Sequence, residues 1–360
     1  MADHLFVVGS YTESYAEFRA AGEGVSLVGL GEDGHLALVD RLGGLPNPSY
    51  LKPFAKDRFL AALEVDDARN GIATITIDRD AGRLRLLDRQ EAPGRVLCHI
   101  DLDPTGRWLA GACYGSGHVF TRAIDAQGHI GMAGSVVERH GGSIHPTRQT
   151  APHPHAVRFS PDGRWVVVPD LGTDEIACYP FHEGQLDLAP PLSPPLALPL
   201  AWRAPAGSGP RLVHFSRDGR HLIVVHELAS EVSSLRFRDG RLEAVARLST
   251  LYRPCPRENT AAGLHWHPTR STFAVSNRGA HTVTFFDFDE ASGAISPWFD
   301  IPSGGDKPRD FAFSPCGRWI VAANQNDDTI ILWDIDWKEG RGRDTGFRVK
   351  LGTPSCVRFV

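Results

Sequence analysis

The chain has 360 residues, 38 basic and 43 acidic, for a formal charge of −5. That length can bury a large core, and charge spread along the whole chain leaves no basic stripe to mark a nucleic acid as partner. No run of about 18 apolar residues suggests a membrane span and no basic-then-apolar start suggests an export signal, while six cysteines (98, 113, 178, 255, 316 and 356) standing singly, without a CxxC pair, suit a reduced cytoplasm.

In chain order, one unit recurs: an apolar run, a turn of the S-P-D-G type, then a second apolar run ending in a polar cluster. After the strand LFVVGSYT comes a weak copy, YLKPFAKDRFLAALEV, which lacks the turn glycine. Stronger copies follow: CHIDLDPTGRWLAGACY, HAVRFSPDGRWVVVPDL, RLVHFSRDGRHLIVVHEL, GLHWHPTRSTFAVSNRG and RDFAFSPCGRWIVAANQ. Pro and Asp at the early turn positions, with Gly supplying positive φ, make each tetrapeptide a hairpin. A second hairpin of alternating Val, Ile, Phe and Trp comes after, as in DEIACYPFHEGQL, HTVTFFDFDEASGAI and DTIILWDIDWKEGRG. The turns recur at roughly 47 to 57 residues, which suits a four-stranded propeller blade. The final TPSCVRFV resembles the innermost strand of a copy and LFVVGSYT the strand after it, so the termini pair into a seventh blade and leave no open edge. The expected fold is all-β: a seven-bladed β-propeller with four-stranded antiparallel blades, forming one domain over residues 1–360, with the Pro-rich stretch 188–210 as a long connection between blades.

Hairpin pairing then says which residues meet. A turn centred near residue 218 sets Arg211 beside Glu227, and the same rule sets His155 beside Asp170, Arg309 beside Asn324 with Gln325 next, Arg278 near Ala261, and Tyr114 beside Leu97 and Cys98. Glu64 ends the corresponding strand of the weak copy. All lie at the end of a hairpin away from its turn, and in a propeller that hairpin is nearest the axis. They are expected to converge on one mouth as a concave polar pocket for a small anion.

Other readings are weaker. His153 and His155, with His140 and His145 nearby, could suggest a metal, but alternate residues of a strand point to opposite faces and no compact ligand spacing recurs, so neither metal nor cofactor is expected. His155 could instead be a strand-start histidine bonded to Asp170, and Asp170 and Asp174 could merely close a loop. Arg107, Arg164, Arg220 and Arg318 follow the turn glycines and are expected in solvent. No GxSxG elbow, Walker-type loop or dinucleotide fingerprint is present. The WD pair in IILWDID leaves a non-catalytic propeller scaffold as an alternative.

The segments RHGGSIHPTRQTAPHPHAVRFSPDGRWVVVPDLGTDEI, GPRLVHFS, VVHELAS, SNRGAHTV and KPRDFAFSPCGRWIVAANQNDDT together resemble the seven-bladed propeller lactonases, a group that includes propeller-type 6-phosphogluconolactonases and carboxymuconate-lactonizing enzymes. The resemblance implies metal-free hydrolysis or formation of a lactone, with a role in carbohydrate metabolism, and puts the family's active-site positions on His155, Arg211, Glu227 and Arg278. One departure is His226, where the family commonly has Asn before the glutamate. Rim and resemblance together suggest that Glu227 or His155 takes a proton from water and that Arg211 stabilises the oxyanion. Arg278, Arg309 and Arg148 would dock the carboxyl or phosphate of a small anionic lactone. Glu64, Tyr114, His153, Asp170 and Gln325 complete the expected binding set, with Lys307, Arg148 and His153 as candidates for a second cationic subsite. The expected assembly is a monomer or small homo-oligomer.

Overall fold

The computed structural model describes residues 4–15, 18–187 and 200–360, and among these there is no helix. Seven antiparallel sheets form a ring, numbered here as blades 1 to 7, with innermost strands Pro354–Phe359, Pro48–Ala55, Leu97–Leu102, Arg158–Phe159, Pro210–Phe215, Ala261–Trp266 and Pro308–Phe313. Blade 1 is closed by both chain ends, Phe6 pairing with Phe359 and Val8 with Val357. Six blades have four strands, whereas in blade 4 the outer place is shared by two short strands, Gln185–Leu186 and Leu200–Arg203. Residues 188–199 of the expected Pro-rich connection lie outside the described residues.

The repeated turns owe their shape to one side chain each. In the S-P-D-G copies the Oγ of Ser160, Ser216 and Ser314 accepts the amide of the residue five places on, and in D-P-T-G Asp103 does the same for Trp108. The weak copy needs no glycine because neither Lys56 nor Asp57, the two residues between its paired strands, adopts a positive φ.

Each second strand is buried on both faces. Leu222 and Val224 pack toward blade 4 with Val167 and Ile176, while Ile223 and Val225 pack toward blade 6 with Phe273 and Val275. Seven such clusters fill the seven gaps between blades. Runs buried on both faces read as continuously apolar, which is why the alternation in the sequence is weak there.

Every innermost strand slips register by one residue near its start. A bulge of this kind leaves one residue unpaired and re-aims its side chain. The residues at these slips are Ser355, Ser49, Cys98, His155, Arg211, Ala262 and Arg309, and all but Ala262 line a cavity on the axis.

Three residues further on, Lys52, Asp101, Arg158, His214, His265 and Arg358 plug the axis with charge, joined by Asp310 from beside the bulge at Arg309. Asp101 pairs with Lys52 at 2.6 Å and Arg158 at 3.2 Å, and Asp310 pairs with Arg358 at 2.6 Å and His265 at 2.7 Å. Arg158 also donates to His214 Nε2 at 2.7 Å. Burial alone would raise both carboxyls, but Arg158 and Lys52 hold Asp101 below the usual range, and Arg358 and His265 do the same for Asp310. A depressed folded-state value contributes stability that is present above the unfolded value and lost as pH falls through the folded one. Acid titration followed by circular dichroism is therefore expected to show stability falling below about pH 4, and Asp310→Asn, which strands Arg358, is expected to cost roughly 3–5 kcal/mol in urea unfolding.

Candidate active site

Above the bulges, the first residue after each second strand donates its amide to the residue that precedes or opens the inner strand: Tyr11, Glu64, Tyr114, Leu171, Glu227, Arg278 and Gln325 hold the seven equivalent places. Sequence pairing found five of these and missed Tyr11 and Leu171. Tyr11 was legible, since it follows FVVGS as Glu64 follows FLAAL.

The fourth place corrects the expectation for Asp170. Because of the bulge it is Leu171 that is equivalent to Glu227, and Asp170, one residue earlier, points to the opposite face. Asp170 is fully buried; it pairs with Arg139 and accepts the amides of His153, Gly172 and Thr173, so its carboxylate is not available to a ligand. Asp174 closes a loop, accepting the amides of Gly207 and Gly209. The guanidiniums after the turn glycines lie in solvent.

Glu227 is the centre of what is brought together. Its Oε1 accepts from Arg148 at 2.8 Å; its Oε2 accepts from Arg211 at 2.8 Å, is ion-paired with Arg278 Nη2 at 3.0 Å and lies 3.8 Å from His155 Nε2. Burial alone would raise its carboxyl, but Arg278, Arg211, His155 and Arg148 hold it well below the usual range. Arg211 also donates to the Ala262 carbonyl at 2.8 Å, and burial lowers it to about 10, still protonated at neutral pH. His155 is pushed well below 6.5 by burial and by Arg211 against the pull of Glu227, so its imidazole is neutral. Its Nδ1 lies 3.9 Å from the Cys98 thiol, which burial keeps protonated.

Tyr114 and His153 brace the rim. The rings stack at 4.3 Å, His153 Nδ1 donates to the Tyr114 carbonyl, and the Tyr114 hydroxyl accepts from Arg148 at 3.2 Å. His226, the departure beside Glu227, faces the packed interior of the blade, bonds Ser233, and is held neutral by burial at about 3.

The opposite wall is less saturated. Tyr11 donates its hydroxyl to Glu64 Oε2 at 2.9 Å, and the Tyr15 hydroxyl and Asn47 amide donate to the Glu64 carbonyl. Arg309 lies over the Tyr11 ring, 5.1 Å from its centre. Among the described residues nothing accepts a hydrogen bond from its guanidinium, and Glu64 keeps one oxygen without a donor. Arg148, Arg211, Arg278 and Arg309 against Glu64 and Glu227 leave a surplus of two positive charges, four less two. Among the described residues no group of three or more His, Cys, Asp or Glu is placed to hold a metal.

Depth orders the cluster: side-chain exposure rises from 2% at Glu227 through 6% at Arg211, 10% at His155 and 14% at Arg278 to 35% at Arg148. Glu227→Gln keeps the shape and removes the only charge opposing three gathered guanidiniums. It is expected to leave a folded propeller destabilised by roughly 3–5 kcal/mol in chemical unfolding, and an unchanged midpoint would refute the structural role given to this carboxylate.

Residues 5–359 match the family model described as "Lactonase, 7-bladed beta-propeller". A 6-phosphogluconolactonase of Bacillus subtilis is 26% identical over 100% of this chain and 99% of its own, and one of Formosa agariphila is 27% identical over 93% of each. The solved structure of a periplasmic gluconolactonase of Pseudomonas aeruginosa superposes with a TM-score of 0.88 at 29% identity, covering 99% of both chains.

Proposed function

The chain belongs to the seven-bladed β-propeller lactonase family, and from that premise we propose that it is a sugar-lactone hydrolase acting on 6-phosphogluconolactone or a close relative. Curated relatives of that name over the full chain support the substrate class, and a site with a surplus of two positive charges suits an anionic lactone. The observation that carries the mechanism is a neutral His155 beside Glu227 in a cavity shared with Arg211 and Arg309.

His155 takes a proton from water as the water oxygen attacks the lactone carbonyl carbon. The carbonyl oxygen becomes an oxyanion that Arg211 and Arg309 stabilise, Arg309 by donors that no group among the described residues occupies. Collapse breaks the bond to the ring oxygen, which takes the proton back from His155 and leaves as a hydroxyl, giving an open-chain carboxylic acid that releases its remaining proton to solvent as the carboxylate. Glu227 is poorly suited to be the base, since both its oxygens already accept from cations; it steadies the imidazolium and holds the arginines. Glu64, Tyr114 and Gln325 offer hydrogen bonds to the sugar hydroxyls.

We also propose a cytoplasmic location, because all six cysteines are free thiols and four are buried. Among the described residues no helix is long and apolar enough to cross a membrane.

Purified protein is expected to open 6-phosphogluconolactone above the spontaneous blank, and His155→Ala to lower kcat by about 10²–10⁴-fold; turnover equal to that of the unsubstituted chain would remove His155 from the mechanism. The base works when neutral, so kcat/KM is expected to stay level through neutrality and to fall only below 6.5. Dialysis against a chelator is expected to leave the rate unchanged, and a loss restored by added metal would overturn the water-activation scheme.

A further inference from the structure

Arg148 differs from the other cations around Glu227 because it comes from neither ring of seven. It sits on the connection between blades 3 and 4 and reaches over blade 4, donating to Tyr114 of blade 3 and Glu227 of blade 5. Blade 4 contributes the apolar Leu171 to the upper ring, so that place in the ring carries no polar side chain.

The arm is built to hold this reach. His145 Nδ1 accepts the amides of Thr147 and Arg148, Gln149 Oε1 accepts the amide of His145, and Gln149 Nε2 donates to the Leu171 carbonyl at 2.8 Å. Gln149 itself is buried. The guanidinium is thus delivered by a braced loop, although it is the most exposed member of the cluster.

Both hydrogen bonds of Arg148 use Nη2, leaving Nε and Nη1 without an acceptor among the described residues. Across Glu227, Arg278 shows the same economy of contact. Its Nη2 serves Glu227 and the Ala261 carbonyl, and its Nε is buried with no acceptor. Two guanidiniums are therefore pinned by one carboxylate beneath them, and both are more exposed than Glu227, Arg211 and His155.

We propose that Arg148 and Arg278 form the receptor for a phosphate monoester at the end of the substrate remote from the lactone carbonyl, and that Arg148 is the residue that discriminates phosphorylated from unphosphorylated lactones. The inference rests on the sugar-lactone reading for its substrate and deepens it. A phosphate monoester carries a charge of about −1.5 to −2 at neutral pH, which matches the surplus of two. Arginine forks match phosphate oxygens in pairs, and Glu227 holds both forks in place before the ligand arrives, so little reorganisation opposes binding.

The test compares the unsubstituted chain with Arg148→Met and Arg148→Lys in two measurements. In the first, kcat/KM is determined for 6-phosphogluconolactone and for gluconolactone, and the ratio of the two is expected to fall at least tenfold in Arg148→Met, with Arg148→Lys between. In the second, calorimetry records binding of the stable products, 6-phosphogluconate and gluconate. The phosphorylated acid is expected to bind the unsubstituted chain at least tenfold more tightly, and Arg148→Met to lose that preference. An unchanged rate ratio in Arg148→Met overturns the proposal and leaves the hydrolase reading standing. If neither lactone is hydrolysed, the hydrolase reading fails and calorimetry decides the subsite: a preference lost with Arg148 supports it, and equal binding of the two acids overturns it.

Discussion

A β-strand sends alternate side chains to opposite faces, and in a closed ring of blades both faces are already committed to apolar neighbours. Leu222 and Val224 serve one gap, Ile223 and Val225 the next. The groups of the ring nearest the mouth reach the cavity where that alternation is interrupted. The interruption is the register slip at the start of each innermost strand, which turns Ser49, Cys98, His155, Arg211, Arg309 and Ser355 inward. The upper ring arises from the same constraint, since Glu64, Tyr114, Glu227 and Arg278 stand one residue past the end of pairing.

Concentrating charge in this way has an electrostatic cost that dictates how the site is arranged. Burial penalises a gathered guanidinium, and its neighbours Arg278 and Arg309 add repulsion, so that Arg211 is lowered to about 10 despite Glu227. Glu227 makes the gathering stable, and in doing so becomes too poor a proton acceptor to act as the base. The same surroundings keep His155 uncharged and able to accept a proton. One carboxylate therefore organises the cations while the neighbouring imidazole stays neutral, which is why we propose it as the base. On the other wall, Arg309 rests on an aromatic face instead of a carboxylate, so its donors remain free for an incoming oxygen. The plug of Asp101, Asp310 and their cations closes the axis below, which gives the site a floor and a single open mouth.

Much of this was legible in the chain itself. Turn tetrapeptides with a capping Ser or Asp and a positive-φ glycine act locally, so their spacing revealed the blades. Pairing across a hairpin is also local, and it correctly brought Arg211 to Glu227 and Arg278 to Ala261. The same pairing put Asp170 beside His155 in the site, although a one-residue slip turns it into the blade, where Arg139 takes it. No residue type marks such a slip: Ser, Cys, His, Arg and Ala all occupy it. Tyr11 escaped notice because its blade is assembled from the two ends of the chain and offers no continuous copy to align.

By itself the sequence determined the repeat, the strand order within each blade and the set of polar residues at the hairpin ends, because each depends on hydrogen bonds and hydrophobic patterns between near neighbours in the chain; closure, which pairs Phe6 with Phe359, was legible because the two end segments resemble adjoining strands of one copy. Only the tertiary structure decided which side of a bulge each residue faces, that Arg148 crosses blade 4 to reach Glu227, and which of two candidate proton acceptors is free of cations. Those outcomes depend on distances between groups from different blades, and a charge at short range in a dry interior outweighs any preference written into the local sequence.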